Sequence, residues 1–339
     1  MEVVKKLGKG SFGEVDLVKF ANSDDGSFVH VARKSSHAWN YDYLHKEIRI
    51  LSKLRGCRGI VQSFNDELHV DSTRLGFKIY RLFLEYAEGG TLDDLMGEFD
   101  GRRMPVQMTR QFSRMILEGL VSLHGNGFVH CDLKPGNILV FPSGDGDSSA
   151  SYEVKIADFG ISREVGDEDD WWKEGSPFWG DPVYMSPESV NEGKIGKALD
   201  IWSMGCVVFE MLTGELPWPF DENEEEKIKE ALRKGDAPEI PENLPRDARE
   251  FLETCLARNP EERGTVSDLL KHKFITGEEG EKEKKADVEE CNDHETELQM
   301  ATRPEAFETF LPCPRPQIFH DAVNNSGFCP LANLLKSHM

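Results

Sequence analysis

Three polar side chains in the middle of the sequence have the types and the spacing that phosphoryl transfer requires. Asp132 and Asn137 lie in residues 130–137 (HCDLKPGN), and Asp158 opens residues 158–160 (DFG). Phosphoryl transfer needs little covalent chemistry and much positioning, so its essential parts are a carboxylate that orients the acceptor hydroxyl and two groups that hold Mg²⁺. We predict the first role for Asp132 and the second for Asn137 and Asp158.

Two lysines and a glutamate complete this set of catalytic candidates. Lys134, two residues after Asp132, can reach the transferred phosphate and offset its developing charge. Lys34 ends residues 31–34 (VARK), where a lysine on a third strand could hold the α- and β-phosphates of ATP. Glu47, on the helix predicted to follow, is the natural ion-pair partner of Lys34. The order and spacing of the motifs carry this prediction, because a single lysine or glutamate is usually a solvated surface residue.

A glycine-rich segment near the amino terminus has the composition of a phosphate-binding loop. Residues 8–15 (GKGSFGEV) match the pattern GxGxxGxV, in which the glycines let backbone amides approach phosphates without a side-chain clash. The pattern alone is weak, since an ordinary turn between strands also fits it. A dinucleotide-binding loop would require a helix directly after the turn, whereas another strand is predicted here.

Apolar runs near the amino terminus predict the elements that position the glycine-rich segment and Lys34. Residues 43–54 place leucine and isoleucine at steps of three and four, which is the apolar stripe of an amphipathic helix. Stretches rich in β-branched residues and broken by Gly, Asp and Ser predict the strands of an antiparallel sheet. These stretches are residues 3–7, 14–18, 28–32 and 79–86.

The remainder of the chain is predicted to form a larger, mostly helical unit. Helical patterns cover residues 106–124, 199–213 and 247–257. Residues 143–151 (SGDGDSSAS) predict a flexible turn, and residues 276–339 are charged and poor in apolar side chains, which predicts a disordered tail. The expected fold class is therefore α+β and bilobal, with a small antiparallel sheet and one main helix preceding a larger helical lobe.

Composition and charge argue against several classes of function. The formal net charge of -22 disfavours general binding to nucleic acid or to an anionic membrane. The apolar runs are too short to span a bilayer, residues 1–6 lack a signal core, and Glu2 excludes N-myristoylation. Seven cysteines, an odd number without a CxxC pair, predict free thiols in a reducing compartment. We expect a chain that stays in the cytoplasm or the nucleus.

With these motifs in order, the chain resembles a eukaryotic protein kinase from residue 1 to about residue 275. The wording DLKPxN is similar to that of Ser/Thr kinases rather than Tyr kinases. Residues 184–188 (YMSPE) stand where the family has its APE motif, and residues 200–205 (DIWSMG) resemble the start of a family helix. Arg263 matches the arginine that pairs with the APE glutamate in the family. We expect these three features to serve the scaffold.

The resemblance also implies the domain boundaries and the nucleotide pocket. The small lobe would comprise about residues 1–87 and the large lobe about residues 88–275, with residues 276–339 as an acidic tail. Leu84 would be the gatekeeper, and Glu85 to Ala87 the hinge that hydrogen-bonds adenine. ATP and Mg²⁺ are the implied cofactors. The residues expected to contact them are Leu7, Gly8, Gly10, Ser11, Phe12, Gly13, Val15, Ala32, Lys34, Leu84, Glu85, Ala87, Asn137, Leu139 and Asp158.

Within the kinases, the wording of several segments looks like that of plant MEKK-type mitogen-activated protein kinase kinase kinases. Examples are LEYAEGGTLDDL, HCDLKPGNILV and YMSPESV. This likeness implies a protein substrate, a MAP kinase kinase phosphorylated on Ser/Thr of its activation loop, within a stress or hormone signalling cascade. The alternative is a catalytically weak kinase fold that serves as a scaffold for signalling partners. The residues whose retention argues against that alternative are Lys34, Glu47, Asp132, Asn137 and Asp158.

Two residues near Asp132 depart from the family pattern. Cys131 replaces the Arg that commonly pairs with a phosphorylated loop residue, so we predict that activity does not require the usual loop phosphorylation. Asp181 stands where the family has a Thr that bridges the catalytic Asp and Lys. Because neighbouring carboxylates repel each other, Asp181 either weakens turnover and shifts its pH optimum, or it simply pairs with Lys134.

Overall fold

The amino-terminal part of the chain forms a five-stranded antiparallel sheet. The structure is a computed structural model that describes residues 1–10, 12–21, 28–143, 151–166, 180–219 and 224–277. The strands are β1 (Glu2–Gly10), β2 (Gly13–Ala21), β3 (Phe28–His37), β4 (His69–Ser72) and β5 (Lys78–Glu85). Their spatial order is β1-β2-β3-β5-β4. The four predicted strands are confirmed, whereas the short edge strand β4 was missed because four residues carry too little alternation to stand out.

Helix α1 (Tyr41–Lys53) packs its apolar stripe against one face of this sheet. The stripe is buried and belongs to the same core as Leu82 and Leu84 of β5. The register pairs Lys34 with Leu82 and Ala32 with Leu84, and paired residues of neighbouring strands share a face. Lys34 therefore lies on the side of the sheet that faces α1. A smaller apolar cluster lies at the strand positions that alternate with these. It comprises Val18, Phe20, Val31 and Phe83.

The carboxyl-terminal part of the described chain is built mainly from helices. Helix α5 is buried on every side from Leu199 to Thr213, and both α3 and α7 pack against it. A helix that is apolar all round belongs in the centre of its lobe. The predicted helices are confirmed to within two residues at each end. The helices are α2 (Leu92–Met96), α3 (Val106–Gly125), α4 (Pro187–Glu192), α5 (Lys197–Thr213), α6 (Glu225–Lys234), α7 (Arg246–Cys255), α8 (Val266–Leu269) and α9 (Lys273–Thr276).

Two short strand pairs accompany the helices of this mostly helical unit. They pair β6 (Phe128–Val129) with β9 (Arg163–Glu164), and β7 (Ile138–Ser143) with β8 (Ser151–Ile156). Strands this short give no clear sequence period. The β7–β8 pair places Asn137 beside the DFG segment, because the amide of Ala157 donates to the Asn137 carbonyl at 2.9 Å.

Some predictions concern parts of the chain that the structure describes only partly. Residues 144–150 of the predicted turn and residues 278–339 of the predicted tail lie outside the described residues. The lobe boundary near residue 87 and the disorder of the tail stay predictions. Within the described ranges, no helix has both the length and the apolar character needed to cross a membrane.

Candidate active site

A network of ion pairs joins the sheet, helix α1 and the DFG segment. The ammonium of Lys34 lies 2.6 Å from Glu47 Oε2 and 2.9 Å from Asp158 Oδ1. Lys34 is 8% exposed and Glu47 is 1% exposed. The predicted Lys34–Glu47 pair is thus present, and Asp158 joins it. Because Glu47 is on α1, the network also fixes the position of that helix relative to β3.

Burial and charge act against each other in this network. Burial lowers the pKa of the Lys34 ammonium, but Asp158 and Glu47 outweigh burial and leave that pKa raised. Burial likewise acts to raise the pKa of Asp158. Lys34 outweighs this effect, so that the pKa of Asp158 stays below its usual value. For Glu47, burial dominates and raises the pKa, with Lys34 opposing the rise. Removing Lys34 would leave the buried Glu47 carboxyl without its cationic partner, and such a loss is strongly destabilising.

The loop between β6 and β7 brings Asp132, Lys134 and Asn137 together. The side-chain amide of Asn137 donates to both the backbone carbonyl and Oδ2 of Asp132, each at 2.8 Å. The ammonium of Lys134 lies 3.5 Å from the same Oδ2. Burial raises the pKa of the Asp132 carboxyl, and Lys134 opposes this. Asp132 is therefore held in a fixed orientation by one amide and one cation.

Asp200, on the first turn of α5, fixes the start of this loop through hydrogen bonds. Its carboxylate accepts from the backbone amides of His130 at 2.8 Å and Cys131 at 3.0 Å, and it lies 2.8 Å from His124 Nε2. Cys131 has a φ of 71°, which a residue with a side chain rarely adopts. The hydrogen bonds from these two backbone amides to the buried Asp200 carboxylate stabilise that conformation. His130 Nε2 lies 3.0 Å from the Ala157 carbonyl, so both histidines have structural partners.

Asp181 lies on the other side of Lys134 from Asp132. Its Oδ2 is 3.3 Å from the Lys134 ammonium, and its Oδ1 accepts from the amide of Val183 at 3.2 Å. The second contact makes Asp181 the cap of a short 3₁₀ turn, Pro182–Tyr184. Lys134 thus sits between two carboxylates, as the pairing interpretation of Asp181 predicts.

Cys131, which stands where the family commonly has an arginine, is buried and uncharged. Burial raises the pKa of its thiol, which lies 3.5 Å from the Val129 carbonyl. Helix α1 is tied to this region by a different contact, in which Lys53 Nζ lies 3.0 Å from Glu164 Oε2 on β9. Sequence reasoning missed this pair, because 111 residues separate its members and no motif marks either of them.

The glycines of the phosphate-binding candidate have two different reasons to be glycine. Apart from its chain neighbours, a Cβ added to Gly8 or Gly10 would meet no atom of the described residues within 4 Å, which leaves room beside this turn for a ligand. A Cβ on Gly13 would lie 2.3 Å from the carbonyl oxygen of Ser35, so Gly13 is required for the packing of β2 on β3. Ser11 lies outside the described residues.

The apolar residues predicted to contact the nucleotide differ in their burial. Ala32, Leu84 and Ala87 are buried, and Val15 and Leu139 are partly buried against the same core. Leu7 is 38% exposed, and the ring of Phe12 stacks on Tyr43 of α1 at 4.0 Å. Apolar side chains of this kind suit contact with a planar base.

The carboxylate of Glu85 is engaged within the protein. It lies 2.9 Å from the ammonium of Lys155 on β8 and accepts from the amide of Gln62 at 2.8 Å. The backbone amide of Glu85 also donates to the Gln62 carbonyl, at 3.1 Å. The backbone carbonyl of Glu85 is therefore the group that the predicted hinge would offer to a base. The Lys155 contact has no signal in the sequence, because 70 residues separate the two side chains.

Residues 1–275 match the family model described as the protein kinase domain. The chain belongs to the protein kinase family. The small antiparallel sheet with its single helix and the helical lobe are the two parts of the bilobal kinase fold.

Curated relatives of this kinase include two Arabidopsis thaliana proteins of similar size. It is 34% identical to mitogen-activated protein kinase kinase kinase 20 over 80% of this chain and 76% of that protein. It is 37% identical to mitogen-activated protein kinase kinase kinase 17 over 80% of this chain and 68% of that protein. Mitogen-activated protein kinase kinase kinase A of Dictyostelium discoideum is 30% identical over 79% of this chain and 27% of its own length.

A second buried ion pair links two segments of the large lobe of the kinase. Arg263 is fully buried, and its two terminal nitrogens donate to Glu188 Oε1 at 2.7 Å and to Oε2 at 2.8 Å. Its guanidinium also lies over the ring of Trp202, 5.0 Å from the centroid. Such a forked pair is geometrically specific as well as strong. The pairing predicted from residues 184–188 and Arg263 is confirmed.

Proposed function

We propose that this protein kinase transfers the γ-phosphate of ATP to Ser/Thr hydroxyls of a MAP kinase kinase. The observation that carries the proposal is the simultaneous assembly of two groups of side chains. Lys34 contacts both Glu47 and Asp158 on one side. On the other side, Asp132 contacts both Asn137 and Lys134. The names of the Arabidopsis relatives support the substrate class. A catalytically weak scaffold gains no support, since the positions that argue against it are all retained: Lys34, Glu47, Asp132, Asn137 and Asp158.

On the nucleotide side, the donor set suits ATP with Mg²⁺. Lys34 would bind the α- and β-phosphates, with Glu47 holding its ammonium in place. Asp158 offers a carboxylate, and Asn137 offers its amide oxygen because its amide nitrogen is committed to Asp132. Oxygen ligands of these two types are those that Mg²⁺ prefers. The metal would supply neutralisation of the negative charge on the β- and γ-phosphates.

On the acceptor side, Asp132 would orient the substrate hydroxyl and accept its proton. As the hydroxyl oxygen forms its bond to the γ-phosphorus, the bond from that phosphorus to the β–γ bridging oxygen breaks and ADP leaves. Lys134 would offset the charge on the transferring group. Asp181 shares the Lys134 ammonium with Asp132, so it fixes the lysine but also competes for its charge.

The proposal includes a cytoplasmic enzyme with access to the nucleus and no nucleic-acid or membrane partner. Its support comes from the sequence. A net charge of -22 repels polyanions, and seven cysteines without a CxxC pair are typical of a reducing compartment.

Phosphate transfer to catalytically inactive MAP kinase kinases tests the proposal. The full chain is incubated with Mg-ATP and a panel of such proteins, beside Lys34→Met and a matched surface variant, Lys78→Met. The expected result is transfer to activation-loop Ser/Thr of at least one panel member by wild type and Lys78→Met, with loss in Lys34→Met. Transfer to a generic protein alone would overturn the substrate class. No transfer above Lys34→Met would overturn the enzyme activity.

A further inference from the structure

Tyr43 is an aromatic residue that the proposed chemistry does not use, although it contacts the glycine-rich hairpin. It lies on the first turn of α1. Its ring stacks on the ring of Phe12, with the centroids 4.0 Å apart and an angle of 26° between the planes. Phe12 lies at the tip of the hairpin that joins β1 to β2, since Gly10 pairs with Gly13. The stack therefore joins the tip of the phosphate-binding candidate to α1.

The backbone of this hairpin restrains its base more than its tip. Glycine is the residue with the widest choice of φ and ψ, and Gly8, Gly10 and Gly13 all lie close to the tip in sequence. Because β1 is an edge strand of the sheet, this side of the hairpin pairs with β2 alone. Gly13 packs closely on the carbonyl of Ser35, which fixes the base of the hairpin. The stack on Phe12 acts at the tip itself.

One face of α1 contacts three parts of the nucleotide side. Tyr43 lies one helical turn before Glu47, so the two side chains project from the same face of the helix. Glu47 contacts the Lys34 ammonium at 2.6 Å, while Tyr43 contacts the hairpin tip. A Cβ added to Gly160 of the DFG segment would lie 3.7 Å from both the Cβ and the carbonyl oxygen of Tyr43. The position of α1 is thus linked to Lys34, to the hairpin tip and to the DFG backbone.

The stack is suited to ordering the hairpin tip while still allowing nucleotide exchange. The side chains of Phe12 and Tyr43 are both half-buried. Stacked aromatic rings attract each other beyond the effect of the area that they bury, and one such pair shifts a balance between two positions by about fivefold. A restraint of this size favours one position of the tip. It is weak enough for the hairpin to open when ATP enters or ADP leaves.

We propose that Tyr43 is a positioning residue, which holds the glycine-rich hairpin in place for the phosphates of ATP through its stack on Phe12. This inference rests on the proposed function. The hairpin is ordered before the nucleotide binds, so less ordering remains to oppose binding. Because Glu47 is on the same helix face, α1 positions Lys34 and the hairpin together. The competing explanation is that Tyr43 only stabilises the first turn of α1.

Hydrogen exchange of the hairpin amides tests the proposal without any nucleotide. The full chain is compared with Tyr43→Ala, with Tyr43→Leu, which keeps an apolar side chain on α1, and with Tyr43→Phe, which keeps the ring. Mass spectrometry follows exchange in residues 8–15. We expect exchange there to be about fivefold faster in Tyr43→Ala and Tyr43→Leu, because the tip opens more often, and unchanged in Tyr43→Phe.

The matched control is Tyr41→Ala, which removes another aromatic ring from the same turn of α1. The ring of Tyr41 packs on Tyr80 of β5, with the centroids 4.6 Å apart. This variant should leave exchange in residues 8–15 at the wild-type rate. Equal acceleration by Tyr41→Ala and Tyr43→Ala would overturn the proposal, because a loosened helix would then explain both. Wild-type exchange in Tyr43→Ala and Tyr43→Leu would overturn it as well.

A double-mutant cycle tests whether Tyr43 acts through Phe12. Stopped-flow fluorescence measures the release of a fluorescent ADP analogue in the presence of Mg²⁺. We expect release about fivefold faster in Tyr43→Ala than in wild type. In a Phe12→Leu background, Tyr43→Ala should have no further effect, because the ring on which Tyr43 stacks is already gone. An undiminished effect in that background would contradict the stack as the cause.

The exchange measurement also keeps this test distinct from that of the proposed function. If no variant transfers phosphate above Lys34→Met, the proposed function fails, and exchange in residues 8–15 still decides the role of Tyr43. Where transfer occurs, kcat/KM for ATP should fall about fivefold in Tyr43→Ala and stay near wild type in Tyr43→Phe and Tyr41→Ala. A loss of kcat/KM that Tyr43→Phe does not rescue would contradict a role of the ring in positioning.

Discussion

The nucleotide side and the acceptor side of this kinase share one fold but differ in how their charges are arranged. On the nucleotide side, a single ammonium, Lys34, is shared by Glu47 and Asp158, and each of these matches the family pattern. On the acceptor side, Lys134 is shared by Asp132 and by Asp181, which stands in place of the usual Thr. The neighbouring Cys131 brings no charge where the family has an arginine.

The difference indicates where a kinase can change a charged contact at a low electrostatic cost. On the nucleotide side, the charges of Lys34 and Glu47 are buried, and loss of Lys34 would leave Glu47 without its cation. On the acceptor side, the lysine is partly exposed, so water can moderate the effect of an additional carboxylate. The added carboxylate of Asp181 therefore lies where solvent screens its cost.

The largest effect is expected from Asp158→Asn, which breaks the nucleotide side. It removes a proposed Mg²⁺ ligand and half of the charge that holds Lys34. We expect kcat to fall by about 10²–10³-fold, as for the loss of one preorganised electrostatic group. The measurement is steady-state transfer of labelled phosphate at saturating ATP. Asp71→Asn, which removes the partner of Arg81 on β4, is the matched control and should stay near wild type. A loss of less than tenfold would contradict the role of Asp158.

A gain of activity is expected on the acceptor side from Asp181→Thr. Removing this carboxylate frees Lys134 for the transferring phosphate, so kcat should rise about 3–10-fold, the value of one charge-assisted contact. Asp181→Asn separates charge from shape, because it keeps the size of the side chain and should give part of the gain. The readout is kcat on the same acceptor protein, with thermal unfolding as a check on folding. No gain in either variant would mean that the Asp181–Lys134 pair costs nothing in turnover.

A smaller loss is expected when α1 is released from β9 by Glu164→Gln. This change removes the charge that Lys53 contacts at 3.0 Å, at a site exposed enough that the pair is worth little in stability. We expect the KM for ATP to rise and kcat to fall, so that kcat/KM for ATP decreases by about 2–5-fold. Lys53→Gln should give the same change, and the double variant should add nothing to it. Additive effects would show that the two side chains act independently.

The smallest effect is expected from removal of phosphate from the kinase itself. Because Cys131 offers no cation for a phosphorylated loop residue, phosphatase treatment should leave activity within about twofold of the untreated enzyme. Mass spectrometry verifies that the phosphate has been removed. A kinase that becomes inactive and recovers only on loop phosphorylation would show that another cation replaces the missing arginine.

Neighbouring residues alone determined the local structure and most of the site. The apolar stripe of α1, the glycine turn after β1 and the groups Asp132, Asn137 and Asp158 could be predicted, because periodicity, turn chemistry and short motifs depend on residues near in sequence. Strands as short as β4 and β6 could not, because a few residues give no distinct period.

Tertiary structure decided which charges meet. Lys34 and Asp158 are 124 residues apart, and Arg102 and Glu210 are 108 apart, so only the packing of β3, α1 and α5 brings them within hydrogen-bonding distance. Sequence alone did not show whether Asp181 meets Lys134, and the structure places its Oδ2 3.3 Å from that ammonium. The effect of this pair on turnover is what Asp181→Thr measures. Spacing along the chain identified the chemistry that the side chains can perform. Burial and contact in three dimensions determined how their charges are balanced, because the energy of a charge depends on its surroundings.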